Sequence, residues 1–245
     1  MQARRRYRAT RDGCGASALT TQGDETASQR LRENLEEVRS RISEAARLSD
    51  RNASSIRLVG ISKTIDVATL ALTLDLGLCD FGENRAQELL EKAPLLEVHN
   101  PAPVWHFVGQ LQRNKVAALS PHISLWHSVD RALLGEAIAK RAPGARVLVE
   151  VNLAEEPQRG GVAPSGCAEL VDALRSLGLD VAGLMTVAPQ IGEPSRWFET
   201  LRILADGLGL VELSMGMSSD YEAAIAQGST ILRVGNSIFG GRGAI

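Results

Sequence analysis

Cysteine is scarce and scattered: Cys14, Cys79 and Cys167 are the three in 245 residues. An odd, widely spaced set builds no disulfide framework and has no zinc spacing, so reduced thiols and a cytoplasmic setting are expected. Histidine is also rare, with four, and no pair stands at His-x-x-x-His spacing, so no metal site is expected. There is no Gly-x-Ser-x-Gly elbow to support serine hydrolysis. No Gly-x-Gly-x-x-Gly follows the first apolar strand, which argues against a dinucleotide fold. No apolar run approaches the ~20 residues of a membrane span. The formal net charge is −2, so nothing global points to nucleic acid or an anionic membrane.

What is present is ordinary globular material, 44% hydrophobic and 23% charged, enough for one large domain. Arg4, Arg5, Arg6, Arg8 and Arg11 crowd the N-terminus without an apolar run behind them. Residues 1–26 are expected to be a disordered extension and 27–245 a single domain. Leu31, Leu35, Val38, Ile42 and Ala45 mark one face of a helix from about Ser28 to Leu48. Strands are then expected at 56–62, 78–82, 104–108, 124–129, 146–151, 180–185, 211–214 and 231–234. Helical patterns separate them. Regular alternation argues for a parallel sheet, and eight units for a closed (β/α)8 barrel. The chain leaves no room for a helix after the last strand, so the N-terminal helix is expected to take that place.

Barrel chemistry gathers where strands run into helices. Lys63 ends the first strand, where burial would favour a neutral, nucleophilic amine; its plainer reading is a lysine solvating a strand end. Asn84, His106, Met185 and Ser214 stand at or near later strand ends. Ser218, Ser219 and Gly235 suggest a phosphate seat, with Ser219 and Glu222 at capping-box spacing. A plain helix cap explains the same spacing equally well. Arg233 sits in an apolar strand and needs a partner; a structural ion pair with Glu150 is the alternative to a ligand. For His106, a hydrogen-bonded core histidine is the stronger reading.

Six ordered blocks carry a resemblance: Val59-Gly-Ile-Ser-Lys63-Thr, Phe81-Gly-Glu-Asn84, Trp105-His-Phe-Val-Gly109-Gln-Leu-Gln-Arg-Asn-Lys115, Gly183-Leu-Met-Thr186, Ser214-Met-Gly-Met-Ser218-Ser-Asp220 and Arg233-Val-Gly235-Asn-Ser-Ile-Phe239-Gly. Over residues 28–242 the chain resembles the pyridoxal phosphate homeostasis protein family. The resemblance implies a barrel of pyridoxal-phosphate fold type III, like the N-terminal domain of alanine racemase. It implies pyridoxal 5′-phosphate (PLP) held as a Schiff base on Lys63. Ser218, Gly235 and Asn236 would hold the phosphate, and Arg233 would face the pyridine nitrogen. Asn84, His106, Met185 and Ser214 complete the expected binding set. Asn236 replaces the family's usual Thr or Ser, which removes a hydroxyl but not the backbone N–H. Ser219 stands where many members have Asp.

The expected role is vitamin B6 homeostasis by a cytoplasmic, monomeric PLP carrier, with PLP-dependent apoenzymes as recipients and little turnover. A protonated pyridine nitrogen makes the better electron sink, and arginine has no acceptor for that proton. Racemases of this arrangement use a second base from another domain. The tyrosines here, Tyr7 and Tyr221, lie in the tail and at a helix start. An amino-acid racemase or decarboxylase on the same barrel is the alternative; a cofactor-free Schiff-base aldolase is a more distant one.

Overall fold

The computed structural model describes residues 22–99, 102–189 and 192–240. Eight strands close into one parallel barrel in chain order. They are β1 (Arg57–Ile61), β2 (Asp80–Glu83), β3 (Val104–Phe107), β4 (Ile123–Val129), β5 (Arg146–Glu150), β6 (Asp180–Met185), β7 (Glu212–Ser214) and β8 (Ile231–Val234). The helices are α1 (Gln22–Leu48), α2 (Val67–Asp75), α3 (Ala86–Leu96), α4 (Val116–Leu119), α5 (Ala132–Arg141), α6 (Cys167–Ser176), α7 (Pro194–Gly207), α8 (Tyr221–Ala226) and α9 (Asn236–Phe239). The seam closes by pairing β1 with β8, from Arg57 opposite Ile231 to Gly60 opposite Val234.

Strands covered on both faces need apolar residues on both faces, and two cores result. Val59, Leu125, Leu148, Ala182, Met185 and Ile231 fill the barrel interior. A larger shell, including Leu70, Phe81, Trp105, Trp126 and Phe198, lies between strands and helices.

The N-terminal helix takes the eighth helix's place. Leu31, Leu35, Val38 and Ile42 bury its inner face. Arg41 pairs with Glu222 of α8, while Arg39 donates to the Leu76 and Gly77 carbonyls after α2. Asn34 Nδ2 donates to the Ile238 carbonyl at 3.0 Å. The helix begins at Gln22 rather than Ser28, so residues 22–26 of the expected extension are helical. The first 21 residues of that extension, with its arginines, lie outside the described residues.

Two further boundaries differ. A one-turn helix, α9, follows β8 where none was expected. Helix α3 continues beyond Lys92 through Pro94 to Leu96, because Ala93 and Leu96 still point fully into the shell. If α1 is an integral stave, Leu35→Ala will cost about 2–5 kcal/mol, the range for emptying a buried leucine site. Urea unfolding will measure it; a loss below about 0.5 kcal/mol, typical of surface changes, would make α1 peripheral.

Candidate functional site

Lys63 is placed by a turn that is tied down on both sides. Buried Ser62 donates its N–H to the Gly82 carbonyl at 3.0 Å and its hydroxyl to Glu83 Oε1 at 2.8 Å. Its carbonyl accepts from Lys92 Nζ at 2.7 Å. On the other side, Thr64 has φ +64°, a left-handed conformation that is a genuine outlier for a β-branched residue. Its N–H donates to Glu88 Oε2 at 2.7 Å. Lys92 completes the tie, with Nζ 2.6 Å from Glu83 Oε1 and 3.2 Å from Glu88 Oε2. Burial pushes the Glu83 carboxyl up, and Lys92 and Ser62 pull it part of the way back.

Lys63 itself is exposed at the mouth, so the desolvation expected of a strand-end lysine is not there. The strand has already ended at Ile61, and the chain turns outward. The buried lysine is Lys92, which strand-end reasoning missed. Its four-residue spacing from Glu88 was a readable signal; its burial was not. Lys92→Met strands Glu83 without its cation. The expected loss is about 3–5 kcal/mol, as for one partner removed from a buried pair. Unchanged urea stability would mean that the tie is not what holds the turn.

The neighbouring part of the same rim, after β7 and β8, is a cluster of backbone donors. Ser218 Oγ accepts from the N–H groups of Gly235 and Ser237, both at 3.3 Å, at the start of α9. The chain reaches Ser218 through Gly216 at φ +94°, where a Cβ would also lie 2.7 Å from Ala224 Cβ. Ser219 does not cap α8. Asp220 is the N-cap residue, and its Oδ1 instead accepts from the Met217 N–H at 2.6 Å, closing the preceding turn. The expected capping box is therefore replaced, and the donors of the seat come from the β8–α9 turn. Sequence reasoning missed the Ser237 N–H, because α9 was not foreseen. Asn236 stands exposed at the first position of α9.

Beside these, Asn84 Oδ1 is buried without a partner. Its backbone is pinned by Gly109, where a Cβ would fall 2.3 Å from the Asn84 carbonyl oxygen. Met185 packs at the top of the interior core.

Arg233 is fully enclosed, but not by an ion pair. Its Nη1 donates to the Ser214 carbonyl at 2.6 Å and to Ser214 Oγ at 2.7 Å, and its Nη2 to the Thr186 carbonyl at 2.7 Å. The alternative reading, an ion pair with Glu150, does not form, since carbonyl oxygens satisfy the cation first. Burial brings the Arg233 pKa down to about 10 against the pull of Glu150 and Asp220, which leaves it charged at neutral pH. His106 is buried with both ring nitrogens engaged, at 2.9 Å from His127 and 2.9 Å from Asp80. The core-histidine reading therefore holds, and a direct ligand contact from its nitrogens does not. The barrel topology brings Lys63, Asn84, Met185, Ser214, Ser218, Arg233, Gly235 and Asn236 to one end.

Glu150 lines a cavity of about 250 Å³ with Gln110, Asn152, Arg159 and Val187. One carboxylate oxygen, Oε2, is buried without a partner. Burial and the negative charge of Asp130 raise its pKa to about 7, with Arg233 opposing. Folding thus favours the protonated acid, and that contribution fades as pH rises from the ordinary carboxylate range through 7. Glu150→Gln should therefore be more stable than the parent at pH 8, by up to about 3 kcal/mol. The gain should vanish below pH 5 in urea titrations; a pH-independent difference would contradict the shift.

The family model for the alanine racemase N-terminal domain matches residues 27–243. A pyridoxal phosphate homeostasis protein of Aquifex aeolicus is 39% identical over 86% of this chain and 97% of its own length. The chain belongs to the pyridoxal phosphate homeostasis protein family. A solved structure of the same architecture is PipY of Synechococcus elongatus, described with PLP bound; it is 31% identical with a TM-score of 0.75, covering 86% of this chain and 100% of PipY. Lysine decarboxylase of Selenomonas ruminantium shares the fold alone, at 16% identity and a TM-score of 0.61, over 86% of this chain and 60% of its own. Among the described residues no helix is long and apolar enough to cross a membrane, and no His, Cys, Asp or Glu group could hold a metal ion.

Proposed function

We propose that the chain binds PLP at the barrel mouth and serves vitamin B6 homeostasis as a carrier more than a catalyst. One observation carries the reading: an exposed lysine in a tied-down turn shares a rim with a cluster of backbone N–H groups and a buried, charged arginine. Family membership and the PLP described in PipY support it. The donor set fits the cofactor. Lys63 would hold its aldehyde carbon, and Ser218 with the Gly235 and Ser237 N–H groups would hold its phosphate. The orphaned Asn84 Oδ1 gives the mouth an unmet acceptor for a polar ligand.

When bound, PLP supplies an electron sink for amino-acid chemistry. Arg233 offers donors only, so it would hold the pyridine nitrogen without giving that nitrogen an acceptor for a proton. Tyr221 is fully buried, with Arg41 over its ring at 5.1 Å, and presents no base to the mouth. The reading extends to a monomer in the cytoplasm that releases PLP to apoenzymes.

Glu150 is the one feature that favours a second reading, an amino-acid racemase or decarboxylase. Its pKa of about 7 suits a general base.

Purified protein incubated with PLP should gain a visible absorption band, and borohydride should fix the cofactor to the Lys63 peptide. Lys63→Ala should lose that covalent adduct. A colourless parent protein would sink the proposal. Exchange of an amino acid's α-proton that is lost in Glu150→Gln would move the assignment to the enzyme.

A further inference from the structure

Five side chains run through the barrel interior as one unbroken series of hydrogen bonds. Arg233 Nη1 lies 2.7 Å from Ser214 Oγ. Ser214 Oγ lies 2.8 Å from His127 Nδ1. His127 Nε2 lies 2.9 Å from His106 Nδ1, and His106 Nε2 lies 2.9 Å from Asp80 Oδ1. Asp80 is in turn 3.6 Å from Arg57 Nε, at the opposite end of the barrel from Lys63.

With both rings neutral, the carboxylate end decides where every proton sits. A carboxylate only accepts and a guanidinium only donates. Asp80 therefore takes a proton from His106 Nε2. Neutral His106 then accepts at Nδ1, which places a proton on His127 Nε2. His127 accepts at Nδ1, so the Ser214 hydroxyl donates there. The Ser214 oxygen is left to accept from Arg233. All four bonds are made with both imidazoles neutral, and turning the neutral His127 ring to its other tautomer leaves two ring lone pairs facing each other. A second proton on His106 would instead run the series the other way, with His127 donating from Nδ1 to a Ser214 oxygen that accepts twice. Burial above all holds the His127 pKa well below its ordinary value, with Arg233 and Arg57 adding to it, so His127 is a ring that stays neutral.

We infer that Asp80, His106 and His127 are positioning residues that orient the Ser214 hydroxyl and so hold the Arg233 guanidinium fixed at the cofactor seat. The inference rests on the PLP reading for its purpose, though not for its bonding. Ser214 alone leaves its hydroxyl free to rotate; a histidine that can only accept removes that freedom. Both rings are 0% exposed, so neither faces bulk water. The anchor, Asp80, lies 153 positions from Arg233 in the chain, so it acts only through the folded barrel.

Two measurements separate the bonding from its purpose. In the cofactor-free protein, long-range ¹⁵N NMR of the imidazoles should find His106 and His127 both as Nε2–H tautomers, unchanged between about pH 6 and pH 8. Asp80→Asn keeps the shape and removes the charge that sets the direction, so His106 should lose its single tautomer while the fold persists. With PLP added, Asp80→Asn should shift the absorption maximum of the bound cofactor and weaken its binding by roughly tenfold, the worth of about one hydrogen bond. His127→Phe should do the same, and the milder Asp80→Asn stands if that variant fails to fold. An imidazolium, or an Nδ1–H tautomer, in the parent would overturn the relay. Altered tautomers with an unchanged spectrum and affinity would overturn its positioning role. A parent with the expected tautomers that binds no PLP would reject the cofactor reading, and with it the purpose assigned to the relay.

Discussion

A buried ammonium must find oxygen, and in this barrel the oxygens it finds belong to the site. Lys92 Nζ reaches the Ser62 carbonyl, Glu83 and Glu88. Those same groups define the backbone on both sides of Lys63. An isolated charge in the barrel wall would cost several kcal/mol. Satisfying Lys92 therefore joins β1, β2 and α3 at one point. The left-handed backbone at Thr64 persists because its N–H is captured from the same cluster. The mouth thus inherits its shape from a charge that never faces it.

The β7–β8 side of the rim follows a different rule. There the polar groups are backbone N–H donors and a serine hydroxyl, brought together because glycine lets the chain turn at Gly216 and approach closely at Gly235. Arg233 is held by carbonyl oxygens and not by an opposing charge, so its cation is left electrostatically uncompensated at close range. Such an arrangement favours an anion or an electron-rich nitrogen at the mouth. It gives no route for a proton onto that nitrogen, which is why a strong seat and weak chemistry can coexist in one barrel. Glu150, with its pKa raised to about 7, owes this to burial before any charge.

Much of the fold was legible because it is periodic. Apolar runs such as Arg146–Glu150 and Ile231–Val234 show as strands from composition alone, and β6 matches its expected bounds of 180–185. The motif residues were legible as a set, since strand ends of a parallel barrel share one rim whatever their distances in the chain. Partners were not legible. For Arg233 a carboxylate was the alternative to a ligand, and carbonyls took that place; Ser219 was assigned a cap that gave way to Asp220. In both places several nearby groups had the right chemistry, and only geometry could choose between them. Lys63 and Lys92 show the same limit in burial: one lysine lies just past a strand and is exposed, and the other lies on an amphipathic helix yet is buried.

By itself the order of apolar and polar residues determined eight parallel strands, the helix that closes the ring from the N-terminal side, and the end of the barrel where chemistry collects. These depend on patterns a few residues long, which act locally. Tertiary structure alone decided that Asp80, His106, His127 and Ser214 form one directed series ending on Arg233. Hydrogen bonds have that direction only when the donors and acceptors at both ends are fixed in space, and those ends meet only once the barrel has closed.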